Sequence, residues 1–202
     1  MQDLVSLVGT YLQCCGEVKP VGRQGPSSPI ESSVDVLLAL FYAPSEGEVM
    51  EPVRGTTRLQ KLLFLLWKEG RFQNQVPDLY NFQAFDYGPC MDDVYDDLSF
   101  LEDVGLVQVT EVPSGNEFED CDERAFTEAF GVALPQPKTR KDYSLTERGA
   151  QEARKLYDAL DEGERMALVG IKSKYNRMPL FALLRYVYQR YPSFARKSLL
   201  RL

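Results

Sequence analysis

Leu59, Leu62, Leu63 and Leu66 recur three and four residues apart in TTRLQKLLFLLWKEG, residues 56 to 70, and Phe64, Leu65 and Trp67 widen that apolar arc. A helix apolar on most of its circumference belongs in a core. Its ends are marked by Thr57 as N-cap and Gly70 as stop. Leu4, Leu7, Val8, Tyr11 and Leu12 give the same period and predict a helix over residues 2–15. Another is predicted from Ile30 to Tyr42, between loops rich in Gly, Pro and Ser. YNFQAFDYG, aromatic and roughly alternating, predicts a short strand, with a turn at Gly88–Pro89 and Pro89 in the first turn of the next helix. That helix runs from Met91 to Val104, with Met91, Val94, Leu98 and Leu101 on one face and Gly105 at its end.

LVQVTEV then predicts a strand, and DYSL, residues 142–145, its partner. Thr146 caps the helix that follows, where small Gly149 and Ala150 permit close packing. The remainder is helical: EGERMALVGIKSKYN and MPLFALLRYVYQRYP flank a break at Asn176–Pro179, and SFARKSLLRL is a short final element. The order helix, helix, helix, strand, long hairpin, strand, capped helix is that of a winged helix-turn-helix unit. The expected fold is mostly α with a small β wing. Residues 1–53 supply N-terminal helices and loops, 54–160 the winged-helix-like core with an acidic wing insertion at 113–138, and 161–202 a basic helical segment packed on that core.

Charge changes this picture. The net charge of -7 conceals a split: residues 1–164 hold all 30 acids and 14 Lys and Arg, whereas 165–202 hold 9 basic residues and no acid. FDYGPCMDDVYDDLSFLEDVG, residues 85–105, carries seven acids and no Lys or Arg, and its helix occupies the place of a DNA-reading helix. At ~100° per residue Asp92, Asp96, Ser99 and Asp103 share a stripe opposite Val94 and Leu101, flanked by Asp93 and Asp97. Carboxylates repel phosphate, so this helix is no major-groove reader. It is either a solvated face or a docking face for a basic protein surface, with Asp92, Asp93 and Asp96 as contacts and Tyr87 and Tyr95 as aromatic anchors.

The basic end interleaves cations with Tyr175, Tyr186, Tyr188, Tyr191 and Phe194, a composition that suits nucleic acid through Lys172, Lys174, Arg177, Arg185, Arg190, Arg196 and Lys197. Against it, Leu180, Leu183, Leu184, Val187 and Tyr191 fit one buried face, and the cations can pair with acids of the first 164 residues or of a dimer partner. The split also allows a head-to-tail contact between the acidic helix of one molecule and the basic end of another.

Other chemistry narrows quickly. No histidine is present, which removes Ser/His and Cys/His nucleophiles in their usual form, and neither GxxxxGK[ST] nor GxGxxG occurs. Cys14, Cys15, Cys90 and Cys121 form neither a disulfide framework nor a metal knuckle, and read as free thiols of a reducing cytoplasm. Asp92 and Asp96 are spaced to share Mg²⁺, but with no Lys nearby they make a poor nuclease; Thr57, Arg58 and Lys61 at a helix start either bind an anion or point outward from a core helix. No apolar run is long enough for a membrane helix, and MQDLVSLVGTYLQCCG lacks the pattern of a secretory leader. The expectation is a cytoplasmic protein without catalytic residues, cofactor or metal.

LEDVGLV followed by YSLTERG resembles the wing of MarR-like and PadR-like regulators. RLQKLLFLL, FQAFDYGPCMDDVYDDLSFLEDVGLV, YSLTERG and KSKYNRMPLFALLRYVYQRYP together resemble the bacterial YwgA-like proteins, and more distantly the Panacea or SocA-like antitoxin domain, over residues 55–195. The resemblance implies a winged-helix-like bacterial protein without catalysis, acting as antitoxin or adaptor by direct contact with a toxin, effector or regulatory target. A DNA- or RNA-binding regulator using the basic end is the alternative.

Overall fold

The computed structural model describes residues 29–70, 72, 81–113 and 139–200. The helix expected at 2–15, Cys14, Cys15, Cys121 and nearly all of the acidic insertion lie outside them. The described residues form six α-helices and two small antiparallel sheets, a mostly helical fold with a minor β component. In chain order these are α1 (Ser33–Tyr42), β1 (Val53–Arg54), α2 (Thr56–Glu69), β2 (Gln83–Phe85), β3 (Gly88–Cys90), α3 (Asp93–Asp103), β4 (Val107–Pro113), β5 (Thr139–Leu145), α4 (Glu147–Ala159), α5 (Glu162–Tyr175) and α6 (Leu180–Arg190), then a 3-10 turn at Pro192–Ala195. One sheet has the order β1-β5-β4, with Tyr143 of β5 opposite Val53 on one side and Val109 on the other. The other is the hairpin β2-β3.

Helix α2 is the axis. Leu59 and the run Leu62 to Leu66 are buried, as expected of its wide apolar arc, and it packs against α5, α6 and β3. Helix α1 buries Val36 to Phe41 and lies against α3 and α4. Local signals hold where a side chain closes the backbone on itself. Ser32 and Asp35 form a reciprocal capping box on α1, and Asp161 and Glu164 another on α5. Thr146 caps α4 by accepting from the Gly149 N–H at 3.0 Å, as its sequence predicts.

Two boundary expectations fail for physical reasons. Thr57 does not cap α2: Gly55 stands at the N-cap with φ +85, and the hydroxyl of Thr56 is engaged with the Tyr143 hydroxyl at 2.6 Å. Gly88–Pro89 is not the turn but the start of β3; the chain reverses at Asp86–Tyr87, and Gly88 supplies the positive φ that closes this two-residue hairpin. Pro89 is tolerated because, among the described residues, β3 has no strand on its other side.

The polar residues of α2 are built inward. Gln60 clamps the backbone of Met91 from both sides, donating to its carbonyl at 2.8 Å and accepting its N–H at 3.1 Å. Lys61 donates to the Pro89 carbonyl at 3.0 Å, and Arg58 to the carbonyls of Arg54, Tyr175 and Met178. One helix thereby holds β3, the entry to α3 and the turn between α5 and α6. Gly149 holds the other end together by close approach: a Cβ there would lie 1.8 Å from the Leu106 carbonyl oxygen. Gly149→Ala therefore forces α4 away from the start of β4 and is expected to destabilise the protein by about 3 kcal/mol or more; urea unfolding of the variant beside the wild type measures the loss.

Candidate functional site

Helix α3 presents two unlike faces. Val94, Leu98 and Leu101 are buried, while Asp92, Asp93, Asp96, Glu102 and Asp103 face water. Asp92 stands at the N-cap but makes no capping bond with its side chain, so its carboxylate remains directed to the surroundings. Among the described residues none of these five carboxylates has a Lys or Arg within ion-pair distance. Asp97 is half-buried; burial, reinforced by Asp93 and Asp96, raises its carboxyl above the ordinary range, against a hydrogen bond from Ser33.

Of the two expected anchors, Tyr95 is 52% exposed on this helix, whereas Tyr87 sits half-buried in the hairpin turn and packs against the core. Phe85 is 55% exposed on the outward side of β2, while Phe82, three residues earlier, is buried. Strand alternation places residues three apart on opposite faces, so the pattern of YNFQAF contained that signal. Cys90, opposite Gln83 in the hairpin, is a half-buried free thiol; burial pushes it up, opposed by the neighbouring Lys61.

The seven cations of the basic end expected to meet nucleic acid separate into three groups. Lys172 is fully buried and cannot meet a phosphate: its ammonium donates to the carbonyls of Phe41 and Ala43, both at 2.8 Å, tying α5 to the end of α1. Arg177 is also withdrawn, because Glu46, Glu48 and Glu51 take its guanidinium at 2.8, 2.8 and 2.5 Å. Burial raises the Glu51 carboxyl, but Arg177, Ser45 and Asn176 together outweigh this and hold it below its ordinary value. Lys174 lies over the rings of Tyr175 and Tyr186 at 4.9 and 5.3 Å from their centroids. Arg185, Arg190, Arg196 and Lys197 are exposed, and among the described residues none has a carboxylate partner. The tyrosines between them are engaged by the fold: Tyr188 is buried, and the hydroxyls of half-buried Tyr186 and Tyr191 both donate to Glu69 at 2.9 Å.

The anion site considered at the start of α2 is overturned in the same way, since Arg58 and Lys61 are buried and spent on backbone carbonyls; nor do they point outward. Among the described residues no group of three or more His, Cys, Asp or Glu side chains is placed to hold a metal ion, and no helix is long and apolar enough to cross a membrane. No protein-family model, curated protein or solved structure matches the chain.

The two buried lysines make stability depend on pH. Burial lowers both ammonium groups from 10.5 to about 8, against small opposing contributions from Cys90 at Lys61 and Glu51 at Lys172. Between pH 8 and 10.5 the unfolded chain therefore binds more protons than the folded one, so stability rises with pH across that window, by up to roughly 1.4 kcal/mol per pH unit for each lysine. Tyr188 and Tyr191, pushed up mainly by burial to about 12, act in the opposite sense once unfolded tyrosines ionise above 10. Denaturant melts from pH 7 to 11 are expected to show a maximum near pH 10, and Lys61→Met or Lys172→Met to flatten the rise.

Proposed function

We propose that this chain is a non-enzymatic, winged-helix-like adaptor or antitoxin-type regulator that acts by protein–protein contact, with the outer face of α3 as its docking surface. The observation that carries this reading is the row Asp92, Asp93 and Asp96 around exposed Tyr95, which has no Lys or Arg partner among the described residues. Carboxylates left without internal partners retain their field for a basic surface, which gives rapid encounter and selects against acidic partners. An exposed aromatic ring among them supplies the contact area that charge alone lacks.

The element order supports the winged-helix part. Helices α1, α2 and α3 precede the β4-β5 hairpin, and β1, lying between α1 and α2, pairs with β5. In that arrangement α3 takes the position of the recognition helix, where its charge repels DNA. The partner is a basic protein: a toxin, an effector or a regulatory target of a bacterial toxin–antitoxin or defence system.

A second reading, nucleic-acid binding, retains Lys174, Arg185, Arg190, Arg196 and Lys197 and loses Lys172 and Arg177. Exposed cations that have no carboxylate partner among the described residues favour it.

One variant separates the two. Reversing Asp92, Asp93 and Asp96 to Lys is expected to weaken capture of the protein partner by about tenfold or more and to leave or improve retention on mixed-sequence DNA. Affinity capture from bacterial lysate, followed by mass spectrometry, measures the first, and a salt series on immobilised DNA and RNA the second. An unchanged capture profile would sink the docking assignment for α3.

A further inference from the structure

The charges that the fold neutralises internally throw into relief those it does not. Lys172 is consumed by carbonyls and Arg177 by three glutamates, yet the acids of α3 and the cations at positions 185, 190, 196 and 197 remain without opposite charges among the described residues. The two sets belong to separate elements, α3 on one hand, and α6 with the segment beyond it on the other. That final segment is held in place. The Leu199 N–H and the Ser198 hydroxyl both donate to the Asp86 carbonyl, at 2.9 and 3.0 Å, and the Ser198 and Tyr188 hydroxyls are hydrogen-bonded to each other at 2.8 Å. Arg196 and Lys197 are thus displayed from a pinned backbone, which lowers the entropy lost when they dock. Leu199, 62% exposed, emerges beside the hairpin turn that follows exposed Phe85.

We infer that the acidic face of α3 binds the basic C-terminal face of a second copy of this chain, Asp92, Asp93 and Asp96 opposite Arg190, Arg196 and Lys197, in a head-to-tail contact. The two faces are different patches of one molecule, so the contact either closes, by a two-fold axis that pairs both faces at once or by a rotation that completes a ring, or adds further copies head to tail. The overall charge of -7 opposes growth, because every added copy raises the charge of the assembly. Apolar contact from Leu199 and from Tyr95 adds area that salt does not screen. Self-association covers the same α3 face proposed to receive a foreign basic protein, so the two compete. The contact itself needs no such partner.

The test uses the purified full chain alone. Sedimentation velocity in low-salt buffer is expected to show the weight-average mass rise above 23.0 kDa with concentration and fall back in high salt. Two triple variants then isolate the faces: Asp92→Lys, Asp93→Lys, Asp96→Lys, and Arg190→Glu, Arg196→Glu, Lys197→Glu. Each alone is expected to remain monomeric, since like charges now meet. Mixing the acidic-face variant with the basic-face variant is expected to restore association in 1:1 stoichiometry, because the intact acidic face of one meets the intact basic face of the other and the two reversed faces are likewise opposite in charge. A variant that had merely unfolded would not re-form that complex, and circular dichroism of each variant identifies this; single reversals, Asp93→Lys and Lys197→Glu, then replace it in the same mixing experiment. A wild-type mass that stays monomeric at every concentration in low salt would overturn the contact while leaving the protein-partner reading intact. Oligomers that persist in both variants, or variants that fail to pair on mixing, would overturn it as well.

Discussion

The inward-facing polar groups of α2 are what the remaining elements depend on. Arg58, Gln60 and Lys61 lie on a helix whose leucines fill the core, and each spends its hydrogen bonds on backbone of another element. A carbonyl in an apolar interior costs free energy unless it is paired, and a bond from a charged donor contributes roughly 1.5–3 kcal/mol. The elements served, β3, the Met91 junction and the α5–α6 turn, are short or irregular and cannot satisfy themselves. Their placement therefore follows from α2, and the hairpin and the start of α3 stand where Gln60 and Lys61 hold them.

Charge follows a related division. Two cations are engaged within the fold: Lys172, buried, bridges α5 to the end of α1, and Arg177, exposed, draws in the loop bearing Glu46, Glu48 and Glu51. That loop turns tightly enough to aim its carboxylates, with Glu46 and Gly47 at positive φ between the paired Ser45 and Glu48. Among the described residues the charge left over is polarised, with acids along α3 and cations on α6 and beyond it. The proposed adaptor role and the self-contact both draw on this residue of unpaired charge. Two buried ammonium groups are the accompanying cost, eased only above neutral pH.

Periodicity made much of the fold legible. The leucine arc of α2, the Met91–Val94–Leu98–Leu101 face, the Thr146 cap and the small residue at 149 all lie as the pattern implies. Patterns of that kind depend on neighbours within a turn or two, which the chain itself supplies. Gly88–Pro89 misled because the pair is as compatible with the strand after a turn as with the turn itself, and only the pairing of Phe85 with Gly88 distinguishes them. Thr57 misled because a cap depends on backbone direction, and Gly55 had already set it.

The chain by itself determined the helices, the acidic stripe on α3 and the separation of charge between residues 1–164 and the remainder. Each of these is a property of spacing or composition. Only the tertiary structure decided which charges are available. Lys172 and Lys174 are two residues apart in one helix, yet one is buried against Phe41 and Ala43 and the other stands over tyrosine rings. Arg177 and Arg190 look alike in sequence, but only Arg177 meets a glutamate loop more than a hundred positions away. Whether a side chain is spent or free depends on contacts between distant segments, and no local pattern encodes them.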